Sequence, residues 1–173
     1  MKIEWIETGI LAASGIPVGL RDLRSLYEQG IRAILSLTEH PLTAQSEITP
    51  QILEEMGFVW LHTPIADQYP PDVETAQRAV QFVRQMRIEG RPVLVHCHAG
   101  IGRTGTFLHA YYLAEGLSLE AAKAKVRAVR LTSQFVMLTD AQQAFLEAWA
   151  DRDDLSDIAP RESSNARSDS PCS

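Results

Sequence analysis

Near the middle of the chain, Val93-Leu94-Val95-His96 runs straight into Cys97-His98-Ala99-Gly100-Ile101-Gly102-Arg103-Thr104-Gly105-Thr106. An apolar strand that passes through a glycine-rich turn into a helix can bring backbone amides together on one point, reinforced by the positive end of the helix. Gly100 and Gly102 permit a tight backbone, and small side chains leave the amides open to an anion. Arg103 follows Cys97 by six residues, and its planar fork of donors matches the oxygens of a phosphate. The turn is thus expected to fold Cys97 and Arg103 onto opposite sides of one oxyanion. The same surroundings favour the thiolate form of Cys97, because amides, a helix N-terminus and a guanidinium all stabilise a sulfur anion. A thiolate so held is a nucleophile at neutral pH without a partner base.

The elements that must hold this turn can be read around it. Residues 93–96 have the unbroken apolar character of a sheet centre, and residues 31–37 and 58–62 read as two further strands. Residues 20–29 place Leu20, Leu23, Leu26 and Tyr27 on one helical face, with Gly30 as the stop. Thr49-Pro50 starts a short helix that Gly57 closes. Asp72 opens a longer one whose Val73, Ala76, Ala79, Val80 and Val83 share a face, ending near Gly90. Further helices are expected from about Thr104, from Ser118 to Arg130, and from Asp140 to Ala150. Alternating strands and helices predict an α/β fold with a central, mostly parallel sheet of about four to five strands flanked by helices. Ligands of such sheets gather at the carboxyl ends of the strands, which is where residue 97 follows.

The 173 residues, 45% apolar, suit one domain with a single buried core. With 16 Lys and Arg against 22 Asp and Glu, the net charge of −6 argues against a nucleic-acid partner. Only Lys2, Lys123 and Lys125 are lysines, and no apolar run is long enough to span a bilayer, so no membrane partner is expected. Two cysteines, Cys97 and Cys172, cannot form a disulfide framework, and Glu4 and Glu7 interrupt any signal-peptide pattern. A cytoplasmic monomer is the expectation. From Asp151 onward the chain turns acidic and Ser-rich, and it carries half of the net charge with only Leu155 and Ile158 as large apolar residues. The expected organisation is a catalytic body over residues 1–150 and a disordered tail over 151–173.

Cys-x5-Arg, preceded by His96 and followed by Thr104, resembles the signature of the cysteine-dependent protein tyrosine phosphatase superfamily. Ile65-Ala66-Asp67-Gln68-Tyr69-Pro70-Pro71 is similar to the general-acid loop of its small dual-specificity members, with Asp67 thirty residues ahead of Cys97. Ser36-Leu37-Thr38-Glu39, Trp5, and Thr139 with Gln142 extend the likeness to the small atypical members, over about Trp5 to Trp149. The resemblance implies a two-step phosphomonoester hydrolysis without metal or other cofactor, on a phosphorylated protein. In it, Cys97 attacks phosphorus, while Arg103 and the amides of His98, Ala99, Gly100, Ile101, Gly102 and Arg103 hold the equatorial oxygens. Asp67 protonates the leaving oxygen and later deprotonates water. Thr104 offers its hydroxyl to the departing thiolate, His96 organises the loop from below by bonding backbone carbonyls, and Gln142 positions the water, with Gln143 as alternative. A shallow cleft, which the resemblance also implies, admits phosphotyrosine and the shorter phosphoserine and phosphothreonine. Two departures stand out. Leu131 to Leu138 is longer and more apolar than the short turn usual there, and His98 and Ile101 stand where phosphoinositide-specific relatives carry lysines.

Competing readings are weaker. Asp72 rivals Asp67 but sits where a helix cap belongs, and Thr139-Asp140-Ala141-Gln142 fits a capping box, which would occupy Gln142. Glu39, at a strand end on the active face, either shapes substrate access or is a solvated carboxylate. Arg127 and Arg130, with Lys123 and Lys125, form a basic helix that would guide phosphorylated substrates or simply face solvent. His96 and His98 flank Cys97, but neighbours at a strand end cannot aim three ligands at one ion, so no metal is expected. Gly100 to Gly105 spells G-x-G-x-x-G, yet no strand is expected after that helix and no acidic residue ends a second strand for a ribose. A rhodanese-like sulfurtransferase would not need Asp67, and a phosphoprotein-binding module without turnover would not need both Cys97 and Asp67.

Overall fold

The computed structural model describes residues 1–158, in which a five-stranded sheet is sandwiched between two helical layers. In chain order the elements are β1 (Glu4–Glu7), β2 (Leu11–Ser14), α1 (Gly19–Glu28), β3 (Ala33–Ser36), α2 (Pro50–Glu55), β4 (Val59–His62), α3 (Val73–Ile88), β5 (Val93–His96), α4 (Gly102–Ala114), α5 (Leu119–Val129) and α6 (Asp140–Ala150). Single 3-10 turns lie at Leu42–Ala44, Leu131–Ser133, Phe135–Met137 and Leu155–Asp157. The strand order is β1-β2-β5-β3-β4, parallel throughout except for the antiparallel β1–β2 pair. The expected α/β architecture with a mostly parallel sheet is therefore present.

Side chains alternate across the sheet with the period of two that a pleated strand imposes. Leu11, Ala13, Ala33, Leu35, Val93 and Val95 face the layer made by α3, α4, α5 and α6. Ala12, Ile34 and Leu94 face Leu23 and Leu26 of α1 and Leu53 of α2. Both faces are covered, which is why β5 reads as an unbroken apolar run. Helix α4 is the centre of its layer, with every residue from Arg103 to Ala114 buried. The caps fall where the sequence puts them: Thr49 Oγ1 accepts from the Ile52 amide at 3.2 Å, and Asp72 Oδ1 from that of Thr75 at 2.7 Å.

The sheet has the expected number of strands, but two of them are not located in the sequence, and one boundary needs correction. The strands β1 and β2 are absent from the sequence reading, because Leu-Ala-Ala-Ser has little β-propensity and becomes a strand only by pairing with β5. The body also runs past residue 150: Leu155 and Ile158 are buried in the core beside α4, and Arg84 donates to the Ile158 carbonyl. The rest of the expected tail, with Cys172, lies outside the described residues. Among the described residues, no helix is long and apolar enough to cross a membrane.

Register fixes where the site lies. Ser14, His96, Ser36 and His62 sit side by side at the carboxyl edge of β2, β5, β3 and β4. The segments that follow them therefore converge on one end of the sheet.

Candidate active site

The turn between β5 and α4 is held from three sides. The Ile16 amide donates to the His98 carbonyl at 3.0 Å, Arg130 Nη2 to the Gly100 carbonyl at 3.0 Å, and His96 Nδ1 to the Cys97 carbonyl at 3.2 Å. In a trans peptide the next N–H points opposite to the carbonyl. Tying back those three carbonyls thus turns the amides of His98, Ala99 and Ile101 the other way, and these three residues line the cleft. The Gly100 amide donates to Cys97 Sγ at 3.2 Å. Gly100 has φ +74°, and a Cβ there would stand 2.5 Å from the Ser14 carbonyl oxygen, so only glycine fits.

Burial drives the His96 pKa down to about 4, so the ring is neutral. A carbonyl can only accept, so Nδ1 carries the proton and Nε2 accepts from the Ser36 hydroxyl at 2.7 Å. His96 thus bonds one carbonyl of the loop, and its second partner is a hydroxyl of β3 rather than the further backbone carbonyl the resemblance implies.

Arg103 is buried, and its donors divide between the floor and the rim. Nη1 reaches Glu39 Oε2 at 2.6 Å and the Ile65 carbonyl at 3.0 Å, and Nη2 reaches Asp67 Oδ1 at 3.1 Å. Nε is buried with no partner among the described residues. Glu39 Oε1 also accepts from the Asp67 amide at 2.8 Å. Its own backbone amide, the Arg103 guanidinium and the Asp67 amide hold the Glu39 carboxyl down to about 2. Glu39 is thus a bridge between the guanidinium and the Asp67 loop, not a solvated carboxylate.

The Asp67 loop rests on the start of α6. Thr139 Oγ1 donates to the Gln68 carbonyl at 2.9 Å, and Gln142 Nε2 to the Tyr69 carbonyl at 3.2 Å. Gln142 Oε1 closes the capping box by accepting from the Thr139 amide at 3.1 Å. The side chain caps the helix and lines the cleft at once, whereas Gln143 bonds the Leu138 carbonyl and is not on the cleft wall. Asp72 is used as the cap of α3, away from the cleft.

One cleft of about 340 Å³ therefore brings together Cys97, Arg103, Asp67 and Gln142, with His98, Ala99, Ile101 and Gly102 on its floor. Gly100, His96 and Thr104 stand behind that surface. Thr104 is fully buried, and its hydroxyl has no partner among the described residues. The arrangement offers amides, a guanidinium with a free donor, a sulfur and a carboxylate around one small volume, a set suited to an oxyanion and to acid–base chemistry at its edge.

The structural roles of four residues, Arg130, Ser133, Met137 and Glu39, escape sequence reasoning. Arg130 is buried: Nε donates to Ser133 Oγ at 3.1 Å, Nη1 pairs with Glu4, and Ser133 Oγ donates in turn to the Gly100 carbonyl at 3.2 Å. Met137, from the long 131–138 segment, forms part of the cleft wall. Glu39 carried a usable signal, a carboxylate just past a buried strand at the ligand edge. The sequence reading of Arg130 as a substrate-guiding or solvent-facing residue of a basic helix is corrected by its burial against the turn and Glu4, and Ser133 carries no signal.

Similarity to known proteins agrees with this picture. Dual specificity protein phosphatase 12 of Rattus norvegicus is 33% identical over 107 residues, 61% of this chain and 30% of the relative. Dual specificity protein phosphatase 5 of the same species is 37% identical over 128 residues, 62% of this chain and 33% of the relative. The chain thus spans about a third of the length of these curated relatives. Among solved structures, Tk-PTP in the active form superposes with a TM-score of 0.74 at 29% identity, covering 87% of this chain and 97% of that one. The DUSP15 crystal structure has the same fold, with a TM-score of 0.68 at 21% identity over 90% of this chain and 91% of that one. A family model matches residues 11–117, more than half of the sequence, and on that match the chain belongs to the family described as polymorphic toxin system, DSP-PTPase phosphatase.

Proposed function

We propose that the protein is a cysteine-dependent phosphatase that hydrolyses phosphotyrosine, and phosphoserine and phosphothreonine, in proteins. The observation that carries this reading is the buried Arg103 Nε, which has no partner among the described residues, on a side chain that shares the cleft with Cys97. A buried donor left unpaired costs about 1–3 kcal/mol, which an oxygen of a bound phosphate would recover.

In the first step Cys97 Sγ attacks phosphorus, the P–O bond to the substrate breaks, and Asp67 gives its proton to the departing oxygen. The product is a phosphocysteine. In the second step water attacks phosphorus, Asp67 takes its proton, and the S–P bond breaks to return the thiolate and inorganic phosphate. Arg103 and the turn amides hold the equatorial oxygens throughout. Glu39 keeps Nη1 occupied, so Nε and Nη2 are the donors left for phosphate. A phosphate on Nη2 displaces the Asp67 carboxylate from the guanidinium, so that it takes a proton from solvent and gives it to the leaving group. Thr104 serves the departing thiolate, and Gln142 the attacking water.

Turnover of para-nitrophenyl phosphate in the presence of a chelator tests this reading. Cys97→Ser is expected to lose at least about 10³-fold in kcat, and quenched wild-type enzyme to contain an S–P adduct. Retained turnover in Cys97→Ser overturns the nucleophile assignment. Asp67→Ala is expected to lose about 10²-fold and to flatten the basic limb of the pH–rate profile. An unchanged profile removes the acid role from Asp67.

A further inference from the structure

The segment between α5 and α6 is apolar, exposed and firmly seated. Leu131, Val136 and Met137 are 66%, 75% and 55% exposed. Their base does not move freely. The Phe135 ring meets the buried His109 ring edge-on at 5.6 Å, and the Lys123 ammonium lies 4.2 Å from the Phe135 ring centroid. At Gly105 a Cβ would come within 2.8 Å of the Ser133 carbonyl oxygen, so α4 and this segment are in close backbone contact. Apolar side chains held outward on such a base are an unusual use of surface unless something covers them.

Position says what that is. Met137 lines the Cys97 cleft, and Val136 lines a second cleft of about 330 Å³ whose walls include Lys123 and Arg127 of α5. Consecutive Cα atoms stand about 3.8 Å apart, so the two clefts share a ridge one residue wide. Charge narrows the occupant. In a chain of net charge −6, α5 carries Lys123, Lys125 and Arg127 against Glu120. Lys123 is paired with Glu120 at 2.8 Å, whereas Arg127 is exposed and has no hydrogen bond or ion pair among the described residues. One cationic group beside an apolar ridge suits a carboxylate next to an apolar side chain. A lipid surface would ask for a larger basic excess.

We infer that the Val136–Met137 ridge and the Arg127 cleft bind the polypeptide flanking the phosphorylated residue, with an apolar side chain on the ridge and an acidic one at Arg127. The inference rests on the phosphatase reading above and gives it a substrate class: phosphoprotein segments that are apolar and acidic beside the phosphorylated residue.

The test compares three substrates: para-nitrophenyl phosphate, a phosphotyrosine peptide with Leu and Glu on both sides, and the same peptide with Ser and Lys. Wild type is expected to favour the Leu/Glu peptide at least tenfold in kcat/KM, chiefly through KM. Arg127→Glu should reduce that preference to threefold or less, and Val136→Ser should reduce it about threefold. Both should leave para-nitrophenyl phosphate turnover within twofold of wild type, since neither residue lines the Cys97 cleft. Equal kcat/KM for the two peptides, or a preference that survives both variants, overturns the inference while leaving the phosphatase reading intact. Sedimentation showing a dimer that Val136→Ser dissociates, with peptide preference unaltered, assigns the ridge to a second copy and also overturns it. Absence of turnover on all three substrates overturns the phosphatase reading instead.

Discussion

Cys97 and Arg103 are each 3% exposed, whereas the side chains of Asp67 and Glu39 are 66% and 47% exposed, although all four belong to one site. The floor of the cleft is built out of the interior. Its turn is tied to the β2–α1 connection, to β3 through His96, and to α5 through Arg130. The rim is built of short segments that meet the floor through a few polar contacts: Glu39 with Arg103, Asp67 with Arg103, and Gln142 with Tyr69. A floor so interlocked cannot be altered one residue at a time without strain, because packed interiors adjust poorly. The rim can vary at small cost in stability, since exposed groups contribute little to it. Fixed chemistry below and variable recognition above follow from that difference in burial.

The hardest blow to the floor is Gly100→Ala. The new methyl would need a φ near +74° and a place 2.5 Å from the Ser14 carbonyl oxygen. Left-handed backbone alone costs a non-glycine residue about 1–2 kcal/mol, and with the clash the loss of stability is expected to reach about 3 kcal/mol. Moving the turn would also disperse its donors, so turnover is expected to fall by about 10³-fold. Denaturant unfolding and para-nitrophenyl phosphate kinetics check both. A variant as stable and active as wild type would mean that the floor is as adaptable as the rim.

The second test separates floor from rim by titration. Above pH 6.5, the ordinary value, His96 is neutral in both folded and unfolded chains. Between pH 6.5 and about 4 the unfolded chain takes up a proton that the buried ring refuses, so stability falls as pH falls through this window. The native state is expected to lose about 3 kcal/mol by pH 4. His109, also buried and also lowered, adds to the slope, so His96→Asn should shrink it without abolishing it. Urea midpoints at pH 7 and pH 4.5 for both proteins measure the difference. Equal slopes would take His96 out of the account.

The same division governs what the sequence discloses. Cys97, Arg103 and the glycines are legible because a floor made from one continuous strand, turn and helix writes its geometry in consecutive residues. Thr49 and Asp72 are legible because caps act over three residues. Arg130 is not, since its partners Glu4 and Gly100 lie 126 and 30 residues away. Strand β2 is not, because Leu-Ala-Ala-Ser acquires its conformation from β5. Leu155 and Ile158 read by composition as two apolar residues in an acidic stretch, but two suffice when a core groove lies within reach. Gln142 shows that capping need not use up a side chain: Oε1 closes the capping box while Nε2 bonds the Tyr69 carbonyl of the Asp67 loop. Glu39 was visible at a ligand edge, yet its bond to Arg103 spans 64 residues, and only the sheet order brings β3 beside β5.

Glu39 is also where floor and rim meet, and it gives the smallest and most discriminating effect. Its carboxyl, held at about 2, stays ionised from pH 4.5 to 7, so its bond to Arg103 does not switch with pH over that range. Because the side chain is half exposed, the charge itself is screened, and most of its value lies in directing donors. Glu39→Gln keeps an acceptor for the Asp67 amide and is expected to lower kcat/KM for para-nitrophenyl phosphate only about threefold. Glu39→Ala frees both Arg103 Nη1 and the Asp67 loop and is expected to cost about tenfold. Stability should change little in either, and the ordering Gln above Ala is the diagnostic result. Equal losses in the two variants would mean that charge, not positioning, is what Glu39 supplies, and the link between the guanidinium and the Asp67 loop would then be electrostatic alone.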